Sequence, residues 1–145
     1  MTGRRDVGGV LMLGVVPEAF RELVFAGAKI IIVPTFWTMN DITPQGMAHN
    51  PESEALFLRS TLVSRAFENT CCVVFANAGG AREKGYAGLS SVVVPFKGMI
   101  AEAEGTREQV VVADVDMQIL EDAEECYGIR RDLSSEGFHY RWSKI

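Results

Sequence analysis

Two apolar runs separated by one short amphipathic segment restrict this chain more than any other feature. Val10 to Val16 is almost wholly apolar and suits a strand buried on both faces. Pro17 to Gly27 then reads as a helix, with proline at the first helical position, Glu18 in the first turn and glycine at the end. Phe20, Leu23, Val24 and Ala28 recur at helical spacing, while Glu18, Arg21 and Glu22 occupy another face. Lys29 to Pro34 is β-branched and apolar and reads as a central strand. Strand, helix and strand with short connections make a right-handed parallel βαβ unit, and such sheets gather functional groups beyond their strand C-termini. Here those positions are Thr35, Phe36 and Trp37.

The alternation continues downstream. Thr38 to Ser53 is polar and holds Pro44, Gly46 and Pro51, which predicts a lid or pocket rim. Glu54 to Asn69 has a helical pattern, Cys71 to Ala76 is a second buried strand, and Ala78 to Gly88 is a glycine-rich charged loop. Ser90 to Pro95 and Met99 to Glu104, joined at Phe96, Lys97 and Gly98, form a hairpin. Glu108 to Asp116 alternates and carries four valines, predicting a third strand of that meander, and Met117 to Glu125 a short helix. No repeat or linker divides the chain, so residues 1–145 are expected to form one domain of α/β class with an antiparallel extension.

Composition removes several function classes. The net charge is −5, with 19 acidic against 14 basic residues and no Lys/Arg run longer than two, so no footprint for nucleic acid or an anionic membrane exists. Apolar stretches fall short of the roughly 20 residues that span a bilayer, which leads to the expectation of a soluble, cytoplasmic protein. Three cysteines without a C-x-x-C or Cys/His cluster give no disulfide framework and no metal site. Cys71 and Cys72 read as small hydrophobes facing opposite sides of a strand. Cys126 follows the acidic run 121–125, a poor setting for a nucleophile. His49 and His139 have no Ser, Cys or carboxylate arrangement around them, and the glycines after Asn77 match no phosphate-binding pattern. No cofactor is expected. Glu68 near a helix C-terminus calls for a partner, and Arg65 three residues earlier supplies one.

Several segments, taken in order, resemble the nitrilase superfamily of carbon-nitrogen hydrolases. They are Pro17-Glu-Ala-Phe-Arg-Glu-Leu23; Gly27-Ala-Lys-Ile-Ile-Ile-Val-Pro34 with Trp37; Arg65-Ala-Phe-Glu-Asn69 before the strand ending at Asn77; Gly88-Leu-Ser90; Pro95 and Gly98; and Val112-Ala-Asp-Val-Asp116. The resemblance runs from about Gly9 to Asp132 and covers the C-terminal half of the family domain. It implies a partial α-β-β-α sandwich, with residues 1–8 and 134–145 as terminal extensions. The implied chemistry is hydrolysis of non-peptide C-N bonds of a small amide or nitrile by a Glu, a Lys and a Cys.

The triad is where the sequence departs. The family's Glu and Lys belong to the N-terminal half and match no position here. Alignment without gaps from Pro17 places Leu11 at the nucleophile; alignment from Gly9 places Leu13 there and shortens the elbow by about two residues. Neither leucine has a lone pair, and losing a hydrolase nucleophile costs on the order of a millionfold in turnover. The resemblance also places Trp37 at the acyl pocket, where the alternative is an aromatic packed beneath the loop, with Thr35, Phe36 and Asn77 as further pocket candidates. Glu18, Arg21 and Glu22 match a helix that contacts another subunit in the family. Two expectations follow: a truncated enzyme whose reaction is lost, or a non-catalytic subunit that associates with itself or with a full-length relative.

Overall fold

The computed structural model describes residues 16–135, so the apolar run Val10 to Val16 up to its last residue, with Leu11 and Leu13, and His139 lie outside the described residues. Helix α1 (Pro17–Phe25) opens on Pro17 and closes where Gly27 turns into the left-handed region at φ 94°. Strand β1 (Ile30–Thr35), the short helix α2 (Pro44–His49), helix α3 (Ser53–Glu68) and strand β2 (Cys72–Asn77) follow. A 3-10 turn (Arg82–Lys84) then leads to strands β3 (Ser91–Val94) and β4 (Gly98–Glu102) and to helices α4 (Gln118–Tyr127) and α5 (Ile129–Leu133).

The four strands form one sheet in the order β1-β2-β3-β4. β1 and β2 run parallel, with Ile30 beside Cys72 and Thr35 beside Asn77, whereas β2 with β3 and β3 with β4 are antiparallel. Alternation along the strands makes two unlike faces. One face sends Ile31, Val33, Val73, Phe75 and Val93 into the main core, which α1 closes with Phe20 and Val24, and α3 with Ala55, Leu58, Leu62 and Ala66. Those α3 residues recur every three or four positions, the stripe a helix needs to bury one side. The other face carries Cys72, Val92 and Val94 beneath Leu120 of α4. Among the described residues no β1 side chain joins this second core, although Lys29 just before β1 pairs with Glu121 of α4, and Ile30 and Ile32 are 47% and 67% exposed. Cys71 and Cys72 thus fall into opposite cores, as their adjacency on an extended chain requires.

Two expectations need correction, for Glu108 to Asp116 and for Leu23. Glu108 to Asp116 is not a strand: Val111, Ala113 and Val115 are half-buried and alternate with exposed Val112, Asp114 and Asp116, but the segment joins no ladder of the sheet. Its period of two came from lying against the second core rather than from pairing. The segment Thr38 to Ser53, read as a lid or pocket rim, holds a short helix: Pro44 starts α2 and Thr43 caps it by accepting from the Gly46 N–H at 3.3 Å. Leu23, at helical spacing with Phe20 and Val24, is 46% exposed, since the buried stripe of so short a helix is only two residues wide.

Candidate functional site

The C-terminal ends of the parallel pair bring Thr35 and Asn77 side by side, and Asn77 organises what surrounds them. Its side-chain oxygen accepts from the Thr35 hydroxyl at 2.9 Å and from the Trp37 backbone N–H at 2.7 Å. Its amide nitrogen donates to the carbonyls of Trp37 at 3.0 Å and Gly88 at 2.8 Å. Two acceptor and two donor sites are all that a carboxamide has, so this side chain is saturated. The Ser90 hydroxyl accepts from the Asn77 N–H and donates to the Asn77 carbonyl, tying in the start of β3. Thr35 and Asn77, with Ser90, Gln109 and Val111, line an uncharged cleft of about 400 Å³.

Trp37 turns inward. It is 5% exposed, packs 5.8 Å from the Phe57 ring and donates its indole N–H to Glu54 Oε2 at 2.6 Å. Phe36 points the other way, half-exposed, with its ring edge-on to Tyr86 at 5.5 Å. Tyr86 also pairs by a β-bridge with Thr38, and the Met39 N–H donates to the Gly85 carbonyl at 2.8 Å, so the loops after β1 and β2 are stitched together. Glu18 and Glu22 are exposed and Arg21 half-buried on α1.

Neither buried thiol can act as a nucleophile. Burial pushes Cys71 up to about 12, against the opposing field of Arg130, and burial raises Cys72 as well. Among the described residues no group of three His, Cys, Asp or Glu could hold a metal ion, and no helix is long and apolar enough to cross a membrane. Arg65 and Glu68 form the expected pair at 2.5 Å.

Three functional-looking groups were not read from the sequence. Glu54 as the indole acceptor has no local signal beyond its place in the first turn of α3. Glu124 accepts from the backbone N–H groups of Arg130 and Arg131 and from the Thr70 hydroxyl. Arg130 in turn donates to the carbonyls of Val24 and Ala28, at the end of α1 and beyond it. These partners are 54 to 106 residues apart in sequence, except within the α4 to α5 turn, and no spacing rule links them.

Comparisons with known proteins agree with this architecture. The family described as carbon-nitrogen hydrolase matches residues 14–125. A hydrolase of Pseudomonas protegens, described as the hydrolase in the pqqF 5′ region, is 34% identical over 105 residues, covering 72% of this chain and 32% of that protein. The 2-oxoglutaramate amidase of Bacillus subtilis is 25% identical over 121 residues, covering 83% and 41%. The solved structure of the C. elegans NitFhit protein superposes with a TM-score of 0.61 at 26% identity, covering 84% of this chain and 28% of that one. The chain therefore spans about a third to two fifths of the length of these curated relatives. With the family matched over most of its length and the sheet superposing on a family structure, the chain belongs to the carbon-nitrogen hydrolase family.

Proposed function

We propose that this chain is a truncated nitrilase- or amidase-like domain that keeps the scaffold of a C-N hydrolase but does not hydrolyse a C-N bond by itself. The observation that carries the reading is the state of its thiols. Cys71 and Cys72 are sealed in the two cores and held protonated, while the family's nucleophile position falls on Leu11 or Leu13. The family's Glu and Lys match no position here. Of the four pocket candidates, Thr35 and Asn77 border the cleft, Asn77 also fixing the backbone, while Trp37 supports the loop from within and Phe36 packs on Tyr86 outside it. The substrate class that this wall would serve is a small amide or nitrile; the amide is the bond that gives the B. subtilis relative its amidase name. The location proposed is cytoplasmic.

The test is ammonia release from a panel of simple amides, nitriles and N-carbamoyl amines by the purified 145-residue chain. No release above buffer is expected. Turnover would overturn the reading and mean that another nucleophile acts.

A second reading is favoured by one observation, the isoleucine pair left uncovered on β1. On this view the chain is a non-catalytic subunit. It associates with itself or with a full-length relative through that strip and through Glu18, Arg21 and Glu22 of α1. A monomer by size-exclusion chromatography, with no mixed complex when a full-length relative is added, would remove it.

A further inference from the structure

Between the start of α3, the 82–89 loop and the residues after β4 lies a cavity of about 160 Å³ that the readings above leave unused. Its floor is apolar: Ala55, Ala87 and Leu89 belong to the main core and Met39 packs against it. Two arginines also line it, Arg59 from α3 and Arg82 from the 3-10 turn, together with Glu52. Both arginines are only partly engaged. Arg59 uses Nε alone, on Glu102 Oε1 at 2.8 Å, and Arg82 Nη2 stands 3.8 Å from Glu52 Oε1, beyond hydrogen-bond reach. Tyr86 and Thr106 add their side chains to the lining.

We propose that this cavity binds a small monocarboxylate with a short aliphatic tail, the tail on the Met39 and Leu89 floor and the carboxylate on the arginine forks. The planar guanidinium matches a carboxylate in two parallel bonds, which a single-nitrogen contact to glutamate leaves open. The exposed Arg82–Glu52 pair contributes little to stability, so a ligand carboxylate displaces Glu52 at small cost. The volume is below the ~300 Å³ at which pockets begin to take drug-sized ligands, which limits the tail to a few carbons. Binding is independent of any C-N bond hydrolysis.

The experiment is an amide-resolved NMR titration of the full chain with sodium butyrate, 1-butanol and inorganic phosphate, each at fixed ionic strength. Butyrate is expected to give saturable shifts at Met39, Ala87 and Leu89, with 1-butanol and phosphate several-fold weaker because each supplies only half of the match. Arg59→Gln and Arg82→Gln should each weaken butyrate several-fold and leave 1-butanol unchanged, with Arg82→Lys falling between. Both arginines are at least half exposed, so the variants keep the parent spectrum away from the cavity. Equal responses to butyrate and 1-butanol, phosphate binding as tight as butyrate, or unchanged butyrate binding in both Gln variants would each overturn the proposal.

Discussion

Asn77 and Glu124 each tie several distant segments together through hydrogen bonds. Asn77 joins β1, the Trp37 loop and the Gly88 turn, and an alanine there leaves buried N–H and C=O groups without partners. Asn77→Ala is expected to lower unfolding stability by roughly 2–4 kcal/mol in urea titration, because each orphaned buried group costs about 1–3 kcal/mol. Glu124 behaves differently because it titrates. Burial alone would raise its carboxyl, but the Arg130 and Arg131 N–H groups, the Thr70 hydroxyl and the Arg130 charge outweigh that and hold it below the ordinary carboxylate value. A lowered carboxyl contributes stability above its unfolded pKa and loses it as pH falls through the folded value. Glu124→Gln is therefore expected to destabilise the protein at neutral pH and to flatten the acid limb of a stability-versus-pH curve. An unchanged acid limb would show that Glu124 carries none of it.

Elements differ in what holds them. α3 is secured by apolar burial: Leu58 and Leu62 are essentially inaccessible, and Leu58→Ala should cost about 2–5 kcal/mol, read from the urea midpoint at constant m-value. The 108–116 segment has alternation without pairing, so hydrogen exchange should separate it from the sheet. Amides of Val110 to Val112 are expected to exchange far faster than those of Val73 to Phe75, which sit in a central strand paired on both sides. The β3 to β4 hairpin shows a third kind of support. Phe96 takes a left-handed φ of 62°, and its ring is met by Phe67 at 6.2 Å and Tyr127 at 5.8 Å, contacts that offset the backbone cost.

For the whole molecule the two faces of the sheet are the controlling feature. One is covered by α1 and α3; on the other α4 packs over β2 and β3, while Ile30 and Ile32 of β1 stay exposed among the described residues. Ile32→Lys is expected to shift any self-associated species toward monomer in size-exclusion chromatography while leaving thermal stability nearly unchanged, since Ile32 is exposed within the chain. A drop in thermal stability instead would show that this side chain is already packed.

The local sequence determined the elements. Pro17 and Gly27 bound α1, β-branched runs made β1 and β2, and the Phe96 to Gly98 turn made the hairpin, because each depends on backbone preference and on which neighbours share a face. The order of motifs likewise carried the family and the fold class. The missing pairing of the 108–116 segment and the direction of Trp37 were decided only in three dimensions. Val110 to Val115 had the pattern of a strand, but a ladder needs a free edge in register, and the alternation encodes only a buried side. Trp37 was legible as a residue beyond a strand end, with both the pocket and the packed aromatic left open. Its inward turn was set by Glu54 and Phe57, 17 and 20 positions away. The Glu124 and Arg130 contacts, the cleft beside Asn77 and the arginine-lined cavity all join segments that only the packed sheet and helices bring together, so no local rule could show them.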